Sequence, residues 1–439
     1  MKSCRVVHIV ILTLLSLSVS LGQPRAYTLE ECETMALKSS YRVRTAQREV
    51  EIAGLSKKEA YTHYFPKVSF EAASFTTDND LVGGDIDLGA FTPDALVGLL
   101  PSALNISLMD HSTVAFANVL LPLYAGGEVR HTNDLAGVGI EVAELKQSVA
   151  RREILLEVNA AFERVVNLRE KLEVLTSAEE LIATLKHDVT AAIDAGVLLN
   201  VDLLRVELEQ QRLKGDRLTL ESAIRVCTMQ LAQLVGETMD GFKISYTPSG
   251  EQVPAMPVSS DAYSSVLARD EFKLLSAGVE AAKIEQRITL SKQLPKLGIG
   301  AGYMYNDILG SSHNTGLLYA TLSVPISQWW GGSYAIKRSR LREQQALLER
   351  EQKSELMTLE TRQVWSECEE AHSLIIVAKR SVESARENLR VVRSAYSAGT
   401  LSMSELLEAQ VLYRKSLDQL HDAQSTFRIK SLIYREITK

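Results

Sequence analysis

Hydrophobic positions along most of this chain recur at steps of three and four. At four places the step shortens to two. Val158, Phe162, Val165, Leu168, Leu172, Leu175, Ile182, Leu185 and Val189 belong to one series that follows Gly127 and runs to about Ala192. Their spacing is close to a coiled-coil seam, and some 60 helical residues span about 90–100 Å, longer than a compact domain. Other helices are expected from the Thr28-Leu29-Glu30-Glu31 capping box to about Tyr64, from Asn200 to about Val235, and from Asp261 to about Lys292. A long helix ends near Ala395 and a last one reaches the C-terminus. Period-two alternation predicts strands near Val68–Ala72, Thr113–Leu121, Leu297–Tyr303 and Leu317–Val324. Residues 76–112, rich in Gly, Asp and Pro, read as a long loop with a short helical turn near Leu96–Leu100. Residues 240–258 read as a linker with one short strand from Phe242 to Tyr246.

The punctuation repeats. Ala195-Gly196-Val197-Leu198 and Ala398-Gly399-Thr400-Leu401 both break a long helical pattern, and an acid follows each Gly by six residues. Glycine fits the left-handed position that ends a helix. Asn200 and the Ser402-x-x-Glu405 capping box can start the helices that follow. Phe65-Pro66-Lys67-Val68 is echoed by Leu294-Pro295-Lys296-Leu297, and Pro122 with Gly126-Gly127 by Pro325 with Gly331-Gly332. Gly196 to Gly399 and Pro122 to Pro325 are both offset by 203 residues, whereas Pro66 to Pro295 is 229 because the first strand-to-strand loop is longer. The chain therefore reads as two structural repeats, 23–239 and 259–439, joined by 240–258. Each has the plan helix, hairpin, long helix, turn, helix.

Composition narrows the picture. Of 439 residues, 46% are hydrophobic and 23% charged, as in a folded protein. Residues 1–22 read as a signal peptide: Lys2 and Arg5, an apolar run from Val6 to Leu21, then small residues. No Cys follows that run, which speaks against a lipid anchor. Without it, 46 Lys+Arg face 55 Asp+Glu, a net charge of -9. That balance, with no basic stripe, opposes nucleic-acid binding. Cys32, Cys227 and Cys368 are few and widely spaced, so they are expected to pack as small apolar groups. Beyond residue 22 no run reaches the ~20 apolar residues of a membrane helix.

A secreted chain without such helices can still be integral if its strands close a barrel. Four strands are too few, since known membrane barrels need about eight. The chains must associate, and three would supply twelve strands. The long apolar helices likewise need neighbours. Strand and helix barrels joined end to end make a conduit.

Here the sequence resembles the outer-membrane efflux proteins of the TolC family, across residues 26–438. The motifs are Tyr27-Thr28-Leu29-Glu30-Glu31-Cys32 with Ala36-Leu37, the two Pro-Lys strand starts, Leu121-Pro122-Leu123-Tyr124-Ala125-Gly126-Gly127, and the paired Ala-Gly turns. The resemblance implies an α+β, mostly helical homotrimer. In it a twelve-stranded β-barrel in the outer membrane stands on a periplasmic α-barrel. It implies passive export, with a periplasmic adaptor and an inner-membrane pump completing the path.

The resemblance also assigns residues. Adaptors would dock at the tip turns, at Ala195, Gly196, Val197, Ala398, Gly399 and Thr400. Plain helix capping accounts for the same residues and is compatible with docking. Tyr396 falls where the family has an aperture tyrosine, and Asp202 where it has that tyrosine's partner. Glu405 and Glu408 fall on paired pore-facing aspartates. Spaced i, i+3, they share a helix face. Three copies would repel, favour cations and raise one another's pKa; a solvated face is the plainer alternative. The family arginine that bridges chains at the aperture falls on Leu401, which removes a charged lock.

Other candidates carry less. Gly83-Gly84-Asp85-Ile86-Asp87 lacks a full Ca²⁺ loop. Trp329-Trp330 reads as an interfacial anchor or as junction packing, and Asn105-Ile106-Ser107 is a sequon by pattern alone. The eight His have no metal spacing. No nucleophile elbow, P-loop, HExxH or CxxC occurs, so no enzyme, cofactor or metal is expected. A periplasmic helical-hairpin adaptor or scaffold is the competing reading. It shares the long helices and tip turn but not the duplicated strand pairs.

Overall fold

The computed structural model describes residues 26–76, 83–87, 103–107, 111–196, 198–238, 241–248, 250, 252–308 and 311–439. The signal-peptide segment and the helical turn expected near Leu96–Leu100 lie outside these residues. Helix dominates the described residues. In order, the elements are β1 (Ala26–Tyr27), α1 (Leu29–Ser39), α2 (Tyr41–Thr62), β2 (Lys67–Thr76), β3 (Gly83–Asp87), β4 (Ala103–Ser107), β5 (His111–Ala125), α3 (Glu128–Asp194) and α4 (Asn200–Val235). They continue with β6 (Lys243–Ile244), α5 (Ala262–Ala268), α6 (Asp270–Ser291), β7 (Lys296–Ile308), β8 (Ser311–Ser323), α7 (Ile326–Ser397) and α8 (Met403–Thr438). No helix among the described residues is long and apolar enough to cross a membrane.

The chain divides into two compact units. One, residues 49–144 and 274–351, holds a four-stranded antiparallel sheet of order β2-β5-β7-β8. Its register places Val68, Val119, Ala301 and Leu318 in one cross-strand row. Phe70, Ala117 and Tyr303 form the next row on the same face. That face is apolar and uncovered: Val68 is 76% exposed, Phe70 71% and Leu318 85%. The opposite face carries Lys67, Ser69, Asn118 and Thr321 beside Gly298, Gly300 and Gly302. There the missing side chains make room for rings. A methyl at Gly302 would come 2.7 Å from the Phe116 ring, and one at Gly300 would overlap Tyr319. The Tyr319 hydroxyl lies 2.6 Å from Asn118 Oδ1. So the expected alternation of apolar and small residues is present, with aromatic rings filling the small-residue face.

The pattern differs from expectation at several points. The strand does not end at Pro122. β5 runs to Ala125 with an irregularity between Pro122 and Tyr124. β2 begins at Lys67, opposite Leu120, so Pro122 sits where β5 is paired on one side only, a place that tolerates a missing N–H. Gly126 and Gly127 have φ of 65° and 85° and form a turn, whereas Gly331 and Gly332 lie inside α7. Part of the expected long loop is strand: β3 pairs with β4, so Gly83–Asp87 and Asn105–Ser107 are in strand rather than loop.

The other unit, residues 26–48, 145–273 and 352–439 of the described chain, is helical. Three buried clusters hold it. One gathers Cys32 and Ala36 of α1, Val158, Phe162 and Val165 of α3, and Leu231 of α4. The parallel pair β1–β6 closes it, with Tyr27 and Phe242 stacked at 5.1 Å. Another joins Cys368, Ile375 and Val382 of α7 to Leu420 and Phe427 of α8. The last lies at the paired turns. Cys32, Cys227 and Cys368 are free, and burial pushes the Cys32 thiol up to about 11, consistent with packing roles. The single helices expected over 28–64 and 261–292 are each two, broken at Ser40 and Arg269. The Arg269 guanidinium is buried; its Nε donates to the Ile437 carbonyl at 3.0 Å and its Nη1 to Glu360 at 2.8 Å. This tertiary anchoring holds Arg269 in an extended conformation.

Candidate functional site at the paired glycine turns

α3 turns into α4, and α7 into α8, through matching geometry. Gly196 has φ 75° and Gly399 φ 74°. Gly196 N–H donates to the Ile193 carbonyl at 2.9 Å and Gly399 N–H to the Tyr396 carbonyl at 2.9 Å. A second bond seals each turn: Leu198 N–H to Ala192 O at 3.4 Å, and Thr400 N–H to Ala395 O at 3.0 Å. These satisfy carbonyls that a helix end leaves open. The Thr400 hydroxyl also donates to Ala395 O. Ala195, Gly196, Ala398, Gly399 and Thr400 are exposed, and no atom lies within 4 Å of a Cβ added at either Gly. Val197 lies outside the described residues.

The following helices start differently. Ser402 and Glu405 form the expected capping box of α8. On α4 the capping residue is Leu199, with no side-chain bond, and Asn200 is the first helical residue. The capping role expected of Asn200 is therefore not realised. The chain enters one residue early, and the Leu199 side chain has no acceptor to offer.

Behind the turns the four helices share one apolar cluster. Ile182 and Val189 come from α3, Val206 and Leu213 from α4, and Met403 and Leu406 from α8. Leu389, Val392 and Tyr396 of α7 pack against it. A cleft of about 660 Å³ opens beside this cluster, lined by Asp188, Asp202, Arg205, Arg393, Tyr396 and Leu401 among others. Tyr396 and Asp202 are thus brought to one cleft but are not hydrogen-bonded. Asp202 instead accepts from Arg205 Nη1 at 3.2 Å. The Tyr396 hydroxyl is buried without a hydrogen-bond partner among the described residues. Burial, then the charges of Asp202 and Asp188, push its pKa up. It stays a neutral donor at physiological pH, with two carboxylates nearby. Arg205, Asp188 and Arg393 were not singled out from sequence, although Arg205 is i+3 from Asp202 and Arg393 i−3 from Tyr396, helical neighbours by spacing.

Glu405 and Glu408 are exposed on α8. Within one copy the two carboxylates differ in setting, because Glu405 belongs to the cap of its own helix. Its carboxylate accepts from Ser402 N–H at 2.7 Å and from Ser402 Oγ at 2.8 Å, and these bonds hold it below the usual carboxylate range. Its charge is committed to the helix cap. Leu401 is half-buried on the cleft wall, without a charge. Elsewhere, Trp329 donates its indole N–H to the Gln293 carbonyl at 3.0 Å, and both tryptophans are exposed, Trp329 at 49% and Trp330 at 79%. No group of metal-ligating side chains occurs among the described residues.

Comparisons with known proteins bear on the fold. Residues 263–432 match the family model described as outer membrane efflux protein. No curated protein matches the chain in sequence. Among solved structures, CusC superposes with a TM-score of 0.78 at 13% identity, over 93% of this chain and 91% of that one. VceC from Vibrio cholerae gives 0.72 at 15% identity, over 93% and 96%. The open state of the MtrE outer membrane channel of Neisseria gonorrhoeae gives 0.71 at 15%, over 93% and 88%. Residues 263–432 are thus similar to the outer membrane efflux protein family, and the fold is similar to those of CusC and VceC along 93% of the chain.

Proposed function

We propose that this chain is an outer-membrane efflux channel with a large periplasmic portion. Three copies close a twelve-stranded barrel around a common lumen. The observation that carries the reading is the four-stranded sheet: one face is apolar and uncovered, the other bears polar and small residues, and β2 and β8 each have an unpaired edge. Unpaired backbone groups in lipid cost several kcal/mol each, so such a sheet is stable in a bilayer only when its edges are joined. Uncovered leucines on the long helices, such as Leu208 and Leu218 on α4, make the same demand. A helical-hairpin adaptor has no use for this sheet.

In this reading the two repeats, 23–239 and 259–439, place Ala195, Gly196, Val197, Ala398, Gly399 and Thr400 where a periplasmic adaptor docks. Asp202, Tyr396, Glu405 and Glu408 lie at the aperture. An inner-membrane transporter supplies energy and selects the cargo. The chain performs no catalysis and needs no cofactor. The test is extraction: the protein is recovered from the outer membrane in detergent as a heat-modifiable trimer that conducts ions in a planar bilayer. Recovery as a soluble monomer without detergent ends the reading.

A further inference from the structure

A second cleft, of about 880 Å³, opens in the helical unit where α1 breaks into α2. It is lined by three guanidinium groups, Arg42 and Arg44 of α2 and Arg164 of α3, against one carboxylate, Glu157. Arg42 is already occupied, 3.6 Å from both Glu153 and Glu157. Arg44 and Arg164 have no carboxylate partner among the described residues. Instead the Arg44 guanidinium lies 5.8 Å from the centre of the Tyr41 ring, within cation–π range. That ring is 83% exposed. The lining also holds neutral hydrogen-bonding groups, the amides of Gln230 and Gln233 and the hydroxyl of Ser39, which donates to the Leu234 carbonyl at 3.4 Å. Apolar lining comes from Ile154, Ala161 and Leu234.

We infer that this cleft binds a carboxylate-bearing saccharide polymer, the peptide-crosslinked glycan of the cell wall. Two unpaired planar guanidinium forks match carboxylates through parallel N–H···O bonds. An exposed aromatic ring offers a flat apolar face to a sugar ring, and the amides and hydroxyl suit sugar and peptide groups. A phosphate-bearing lipid would satisfy the arginines equally. However, the cleft belongs to the unit without the four-stranded sheet, the unit that stands in the periplasm rather than in lipid. That choice of source rests on the outer-membrane reading; the anion chemistry of the cleft does not. The cleft thereby ties the channel to the wall it must pass through.

The test is co-sedimentation of the detergent-purified full chain with purified peptidoglycan sacculi at low ionic strength. The wild type pellets with the sacculi. Arg44→Gln and Arg164→Gln each weaken binding about tenfold, the loss expected for one charge-assisted hydrogen bond. Arg44→Lys with Arg164→Lys retains more binding than the Gln pair, and sacculi with amidated carboxyl groups pull nothing down. Equal sedimentation of the wild type and the Gln pair overturns the inference, as does undiminished binding to amidated sacculi. Displacement by lipopolysaccharide at lower concentration than by soluble wall fragments also overturns it, in favour of a membrane ligand. Loss of the native assembly size in the Gln pair overturns it too, placing these arginines at a contact between copies. Cell fractionation reports separately on location. Sacculus binding by a protein not recovered from the outer membrane would leave the anion site standing and end the channel reading.

Discussion

Gly399 allows backbone strain to be separated from docking. Its φ of 74° lies in the left-handed region, where any side chain costs roughly 1–2 kcal/mol. No atom of the chain lies within 4 Å of an added Cβ, so neither a methyl nor an indole meets an internal obstacle. Gly399→Ala and Gly399→Trp therefore share the same backbone penalty and differ in what they present to a partner. That penalty falls on a turn sealed by two backbone bonds and an apolar cluster, and it is small against the 5–15 kcal/mol of a folded domain. Both variants should assemble, with melting temperatures within a few degrees of each other. If the turn is a docking surface, the alanine variant exports normally and the tryptophan variant does not. The assay is cellular accumulation of an exported compound at matched levels of assembled protein, with adaptor co-purification as a second readout. Gly196, with φ 75° and equally open space, should behave alike. Equal loss of export in both Gly399 variants would show strain to be the cause, and normal export by Gly399→Trp would refute docking at this turn.

Four further outcomes are expected. Glu405→Gln with Glu408→Gln should lower cation preference in bilayer conductance; unchanged selectivity places these acids away from the pore. Burial pushes the Asp418 carboxyl up, against the pull of Lys171 and Arg414. Its protonated form is the one folding favours, so that stabilisation is present below about pH 4 and fades as pH rises through the folded pKa. Asp418→Asn should therefore gain on the wild type in denaturant midpoint between pH 4 and 7, and a constant difference across that range rejects the assignment. Gly302→Val should cost about 1–3 kcal/mol by crowding the Phe116 ring and reduce assembled protein in membranes, while Gly316→Val, in open space, should not. Leu208→Ala with Leu218→Ala should leave helix content unchanged and lower the heat stability of the assembly; an unaltered assembly means these side chains face solvent.

The parts of the fold legible in the sequence were those with a periodic or a punctuating cause. The Gly196 and Gly399 turns could be read because left-handed backbone demands glycine, and the α8 start because Ser402 and Glu405 answer each other locally. Val68, Phe70, Leu297 and Ile299 alternate because one sheet face is apolar. What escaped was decided by partners distant in sequence. Pro122 looks like a strand end until β2 is seen to begin opposite Leu120, leaving Pro122 unpaired on that side. The break at Arg269 depends on the Ile437 carbonyl and Glu360. Gly331-Gly332 copies Gly126-Gly127 in letters but lies in helix, since dihedral angles do not follow from a residue pair alone. At the candidate site the resemblance located Tyr396 and Asp202. It gave no sign that Asp202 is already engaged by Arg205, or that Glu405 spends its carboxylate on a cap. The Arg44–Arg164 cleft had no sequence signal, because its arginines lie 120 residues apart on different helices.

The strand order β2-β5-β7-β8 gives the sheet a direction around its rim. Its two free edges belong to different strands, so they cannot satisfy one another by a two-fold, face-to-face pairing that uses the same edge twice. Any assembly that closes both edges with one kind of contact must join β8 of each copy to β2 of the next, head to tail, and ends in a ring where the rotation between copies closes. Every contact around such a ring is equivalent, and a copy with one damaged edge opens a seam that no other contact closes. A chain with a damaged β2 edge should consequently poison rings that it enters alongside intact copies. The wall of such a ring would depend on all its members at once.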